Sequence, residues 1–124
     1  QRKRVQMAQA LIVEPKVMLM DEPFSALDIH TRHLMQNELL RLWQEDRRAV
    51  ILITHDLEEA IALGDRVVVL SSGPSSRVVE SFQVDLERPR NVAEIKLDQR
   101  FTDLYRDIWA CLRGEVEKSY ARQD

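Results

Sequence analysis

The chain has 124 residues, 44% hydrophobic and 31% charged, with a formal net charge of −3. That composition belongs to a globular protein with a modest core and excludes a disordered chain, and the negative balance gives no electrostatic case for nucleic acid or an anionic membrane surface. The longest apolar runs are about five residues against the roughly twenty needed to span a bilayer, and a single cysteine, Cys111, excludes an internal disulfide or a cysteine zinc site.

The chain opens at Gln1-Arg2-Lys3-Arg4, which is basic but not followed by the long apolar core of a secretory signal. A reducing, cytosolic setting is expected. Val5, Met7, Ala8, Leu11 and Ile12 fall near helical spacing over residues 2–13, with no capping residue in front, so the chain reads as a piece of a longer protein. Glu14-Pro15 ends that helix, because a residue before proline is pushed out of the α region. A strand is expected over 17–20, followed by Asp21-Glu22-Pro23. Asp28 is a suitable N-cap for a helix to about Asp46, with Met35, Leu39, Leu42 and Trp43 on one face. The strand Ala49–Ile53 leads into Thr54-His55-Asp56. Asp56 and Glu59 form a D-x-x-E capping-box pattern for a short helix through Leu63, closed by Gly64 at the C′ position. Arg66–Leu70 is a third strand, 71–76 a turn around Gly73-Pro74, and 77–84 an edge or antiparallel strand. Glu87-Arg88-Pro89-Arg90 reads as a linker. The tail, 99–122, reads as an amphipathic helix with Phe101, Leu104, Tyr105, Ile108, Leu112 and Val116 at helical spacing.

Continuous apolar runs of this kind belong to strands buried on both faces, and chemistry in open parallel sheets gathers at the carboxyl ends of such strands. Two acids there are costly unless a metal or a reaction needs them. They could instead cap a helix, but Pro23 intervenes and the next helix starts near Asp28. If strands 17–20 and 49–53 are parallel neighbours joined by one helical crossover, Asp21, Glu22 and His55 emerge at the same sheet edge. Three polar groups then converge, as a catalytic site requires. His30 and His33 lie at an exposed helix start without a metal-ligand partner. Trp43 and Trp109 are read as packing residues, and the Gln1–Arg4 cluster as a solvated helix start.

Met20-Asp21-Glu22-Pro23, then Ser25-Ala26-Leu27-Asp28, then Thr54-His55-Asp56 resemble the Walker B, D-loop and switch-histidine segments of ATP-binding-cassette (ABC) ATPases. Any one of these motifs occurs by chance; the three in order are specific. Arg4 to Leu11 is similar to the helix after the LSGGQ signature of that family, which makes Gln1 the signature's last residue. Asp65–Leu70 looks like the bacterial importer branch. The tail motifs Asp85-Leu86-Glu87-Arg88-Pro89-Arg90 and Ile108-Trp109-Ala110-Cys111-Leu112-Arg113 resemble nitrate, sulfonate and taurine importer ATPases. The resemblance implies an α/β, P-loop NTPase-like (RecA-like) parallel sheet with flanking helices, of which this chain is the C-terminal portion. Residues 1–84 would be the end of the nucleotide-binding domain, and 85–124 a linker and C-terminal helix.

By the same resemblance Asp21 binds Mg²⁺ through water, and Glu22 is the general base for the hydrolytic water. His55 contacts the γ-phosphate of ATP, and Ser25, Ala26, Leu27 and Asp28 form the loop that meets a second ATPase subunit. Phosphoryl transfer relies on positioning and charge compensation, which suits these residue types. The implied partners are membrane permease subunits and, through the complex, a periplasmic or lipoprotein substrate-binding protein. The implied location is the cytoplasmic face of the plasma membrane.

A phosphate loop needs G-x-x-x-x-G-K-[ST]. The glycines here are Gly64, Gly73 and Gly114, and none precedes a lysine. The 124 residues alone are therefore expected neither to bind ATP well nor to hydrolyse it. In the family's sheet the Walker A strand lies between the strand ending at Thr54 and the strand 66–70, so its absence should leave open strand edges and an apolar face. Two competing readings share parts of this pattern. A soluble ABC ATPase acting on DNA or ribosomes would carry the same Asp21-Glu22 and His55. A non-catalytic interaction module would not need Glu22 and His55 intact. The transported substrate is not legible.

Overall fold

A computed structural model of the chain describes residues 17–71 and 77–123. The helix expected over 2–13 and most of the turn expected over 71–76 lie outside the described residues.

β1 (Val17–Asp21) and β2 (Ala49–Ile53) pair in parallel, Val17 opposite Ala49 and Asp21 opposite Ile53. The helix α1 (Ile29–Glu45) makes the crossover that a parallel pair demands. Asp28 starts it: its carboxylate accepts the Thr31 N–H and the Thr31 hydroxyl, both at 2.9 Å. Those bonds, the backbone one foremost, hold the Asp28 carboxyl below the usual carboxylate range. α1 serves two cores through adjacent residues. Leu39 packs with Met18, Met20 and Phe24, while Leu40 joins Ile61, Val67, Val84, Phe101 and Ile108. Burying each such side chain is worth about 1.5–3 kcal/mol.

β3 (Arg66–Leu70) pairs antiparallel with β4 (Val78–Gln83), as expected for the second of these strands. Among the described residues these two form a sheet of their own and are not hydrogen-bonded to β1–β2. The strands depart from the sequence expectation in burial. Met18, Met20, Val67 and Val69 are buried, but Leu19 is 65% exposed, and Ile51, Val68 and Leu70 also face outward. Each sheet is covered on one face, so runs that read as doubly buried alternate instead.

β2 leads into α2 (Leu57–Leu63), capped by Asp56, whose carboxylate accepts the Glu59 N–H at 3.3 Å. Only half of the capping box forms. The Asp56 N–H donates to Thr54 Oγ1 at 2.9 Å, and the Glu59 carboxylate turns to Gln36 instead. Gly64 ends α2 with φ −87°, not in the left-handed conformation expected of a C′ glycine. Glycine is needed there for close approach: a Cβ would sit 2.9 Å from the Ala60 carbonyl oxygen.

The segment read as a linker is built into the core. Arg90 is buried and donates to the carbonyls of Gly64 (2.8 Å), Ala62 (3.2 Å), Ile61 (3.4 Å) and Leu86 (2.9 Å). Arg88 donates to Leu63 O at 2.7 Å, pairs with Asp65 and lies 4.4 Å over the Trp43 ring. Two guanidinium groups thus satisfy the orphan carbonyls at the C-terminus of α2, where its dipole favours cations. Burial pulls Arg90 down to about 10; the neighbouring Arg88 charge acts in the same direction and Asp65 opposes it.

After a 3₁₀ turn (Ile95–Leu97), α3 (Gln99–Gln123) buries Phe101 and Ile108 against α2 and β3 and half-buries Leu104 and Leu112. Trp109 is half exposed and is not a packing residue; Tyr105 and Val116 also face outward. Leu86, Val92, Phe101 and Ile108 share a core with Leu40, Ile61 and Val67. Among the described residues no helix is long and apolar enough to cross a membrane.

Candidate active site

The site forms where β1 and β2 end side by side. Glu22 continues the ladder by one bond, its N–H donating to Ile53 O at 2.7 Å, and then leaves it with φ 47°. A left-handed backbone at a non-glycine residue costs about 1–3 kcal/mol and is held only where the surroundings over-determine it. Here they do. Pro23 is buried, and Phe24, without exposed surface, is sealed among Met18, Met20 and Leu39. The Ser25 N–H and hydroxyl donate to Glu22 O at 3.4 and 3.1 Å, and the Leu27 N–H donates to Phe24 O at 3.2 Å. The chain therefore turns through 22–27 before Asp28 starts α1, and neither acid caps a helix.

This turn presents Glu22 to the end of β2. Its Oε1 accepts the His55 N–H at 3.1 Å and lies 3.4 Å from His55 Nε2. The imidazole is 95% exposed, whereas the Glu22 side chain is only 28% exposed. Asp21, exposed, closes β1 beside them. Asp21, Glu22 and His55 are thus brought to one sheet edge, as the spacing of the two strands predicts. A carboxylate fixed by a backbone donor next to an accessible imidazole can take a proton from a bound water while the ring holds the group under attack.

A hydrated Mg²⁺ asks for one or two carboxylates, with water and phosphate completing its shell. Asp21 fits that demand. Among the described residues no three His, Cys, Asp or Glu side chains converge as a cage.

The loop residues divide. Ser25 and Ala26 are exposed, Leu27 packs against the inner core, and Asp28 is spent on the helix cap. His30 is exposed at the start of α1 and His33 partly so, and neither joins the site.

Sequence reasoning missed a layer behind the site. Arg32 Nη2 donates to Leu27 O at 2.9 Å, and Arg32 Nη1 lies 3.9 Å from Asp56. One turn on, Gln36 is 2% exposed and donates to Glu59 Oε2 at 2.8 Å. Burial pushes the Glu59 carboxyl up, against hydrogen bonds from Thr54 and Gln36. The available signal was polar residues at i, i+4 beside the apolar positions Met35, Leu39 and Leu40 of α1.

No protein-family model matches the chain. Curated proteins do. An uncharacterised ABC transporter ATP-binding protein of Methanocaldococcus jannaschii is 44% identical over 118 residues, covering 95% of this chain and 42% of that protein. The nitrate import ATP-binding protein NrtD of Synechococcus elongatus is 42% identical over 103 residues, 83% of this chain and 38% of the relative. The taurine import ATP-binding protein TauB of Pseudomonas entomophila is 42% identical over 123 residues, 96% of this chain and 47% of the relative. The chain belongs to the family of ABC transporter ATP-binding proteins over the segment it shares with them. It spans less than half the length of these curated relatives.

Proposed function

We propose that this chain carries the water-activating half of the ATPase site in the energising subunit of an ABC importer. The observation that carries the reading is the Glu22–His55 contact across two parallel strand ends, with Asp21 adjacent. Glu22 takes the proton of the attacking water, its carboxylate held by the His55 N–H. His55, through its exposed ring, engages the γ-phosphate and keeps that water in line with the base. Asp21 would hold a hydrated Mg²⁺, which offsets phosphate charge when bound. The separation of β3–β4 from β1–β2 suits a fold whose phosphate-binding strand lies between them.

Ser25 and Ala26 point outward and are the loop positions suited to a second ATPase subunit, whereas Leu27 and Asp28 shape the loop from within. The further partners are membrane permease subunits and, through them, a substrate-binding protein, which places the subunit at the cytoplasmic face of the plasma membrane. The cargo is a small anion or zwitterion of the nitrate, sulfonate or taurine type. The similarity to the nitrate and taurine proteins supports this class, and their equal identity favours neither cargo.

The test is made in the full-length protein. Glu22→Gln should lower kcat for ATP hydrolysis by about 10²–10⁴-fold with ATP affinity preserved, and His55→Ala should likewise lower kcat. Undiminished hydrolysis in Glu22→Gln would remove the base assignment. Co-purification with permease subunits supports the importer role, and retention of nucleic acid instead would overturn it.

A further inference from the structure

We infer that Arg32, backed by Gln36, is a positioning residue that locks the Ser25–Asp28 loop to the turn bearing His55, and so keeps His55 on Glu22. The inference rests on the proposed roles of Glu22 and His55, but its basis lies in different contacts.

The base and the histidine sit on separate strand ends, each followed by an irregular segment. Something must fix one segment against the other, because misplacement by about 1 Å can cost 10²-fold in rate. Arg32 bridges them. Its Nη2 donates to Leu27 O at 2.9 Å, at the far end of the loop that begins with Glu22. Its Nη1 lies 3.9 Å from Asp56, the residue after His55 and the cap of α2. Asp56 is tied in turn to Thr54 on the other side of His55 by its N–H. One turn along α1, Gln36 reaches the same segment through Glu59. Thus two side chains at i, i+4 hold Asp56 and Glu59, the two ends of the segment that directly follows His55.

The cluster is not arranged for stability. Among the described residues Arg32 Nε and Gln36 Oε1 are buried without a hydrogen-bond partner, and Glu59 is a buried carboxyl. Buried polar groups in this state are expensive, and an apolar contact between α1 and α2 would avoid the cost. A guanidinium answers a different need. Its planar fork can address a carbonyl and a carboxylate in fixed relation, which an ammonium cannot do as well. A shift of the loop at Leu27 would be transmitted through Arg32 to Asp56 and His55.

The experiment uses the full-length protein, with kcat and KM for ATP measured for Arg32→Met, Arg32→Lys, Asp56→Asn and the Arg32→Met/Asp56→Asn pair. Arg32→Met should lower kcat by about 10²-fold while KM stays within about twofold. Arg32→Lys, which keeps a donor and the charge, should recover part of the loss. Asp56→Asn keeps the helix cap and removes only the charge. It should lower kcat less, and add nothing in the Arg32→Met background, since partners in one linkage are non-additive. Wild-type kcat in Arg32→Met, or fully additive losses, would overturn the inference. If Arg32→Met does not fold, Asp56→Asn carries the test, and an unchanged kcat there overturns it. Glu22→Gln measured alongside separates the two claims. Hydrolysis that survives it removes the base assignment, whereas its loss with unchanged Arg32→Met removes only the positioning role.

Discussion

Glu22 joins backbone strain to a chemical assignment in one residue. Its φ of 47° turns the chain off the strand and leaves its carboxylate against the His55 N–H. Glu22→Gly and Glu22→Ala lose the same carboxylate contacts, but only glycine takes the left-handed backbone freely, so Glu22→Gly should be the more stable of the two by about 1 kcal/mol in the full-length protein, with hydrolysis lost in both. Denaturant melts beside ATPase assays check this; a Glu22→Gly no more stable than Glu22→Ala would contradict the strained turn. Glu59 makes a second prediction. Burial raises its folded value above the ordinary 4.5, so the folded state holds the proton longer than the unfolded one. Its contribution to stability is then lost as pH rises from 4.5 through the raised value. Glu59→Gln keeps an acceptor for Gln36 without the charge. Its advantage in melting temperature over the wild type should therefore grow as pH rises through that window, and an advantage that shrinks would contradict the account. That Asp21, Glu22 and His55 meet at one sheet edge was legible from sequence, because a strand's carboxyl end is a position the pattern itself marks. Arg32 and Gln36 were not, because polar residues on a helix read as solvated until the packing shows what they face.

The elements themselves were largely legible. The apolar runs, Asp28 and Asp56 each announce a strand or a helix start, and both caps form. What misled was chemistry that periodicity cannot carry. Glu87-Arg88-Pro89-Arg90 has the composition of a linker, yet its two arginines cap the C-terminus of α2. The D-x-x-E pattern forms only half a capping box because Gln36 outcompetes the Asp56 N–H for Glu59. Trp109 has helical spacing to the core but lies on the wrong side of α3. Arg90→Ala would strand buried carbonyls on Ile61, Ala62 and Leu86, at about 1–3 kcal/mol for each left unsatisfied, for a total of about 3 kcal/mol or more. Chemical denaturation of the full-length variant measures this, and a loss below about 1 kcal/mol would show the plug to be dispensable.

For the whole molecule, the outward apolar residues Leu19, Ile51, Val68 and Leu70 lie on two sheets that are not joined to each other. Faces and edges of this kind promote association with other chains. The isolated 124 residues should self-associate with rising concentration and bind hydrophobic dyes, read by light scattering and fluorescence. A monodisperse chain with a cooperative melt would contradict this. Single-turnover hydrolysis of ATP by the full-length protein probes the Glu22–His55 pair without interference from product release, because it isolates the chemical step. Glu22→Gln should slow that step by about 10²–10⁴-fold with nucleotide affinity retained. A single-turnover rate equal to that of the wild type would leave Glu22 without the role of base.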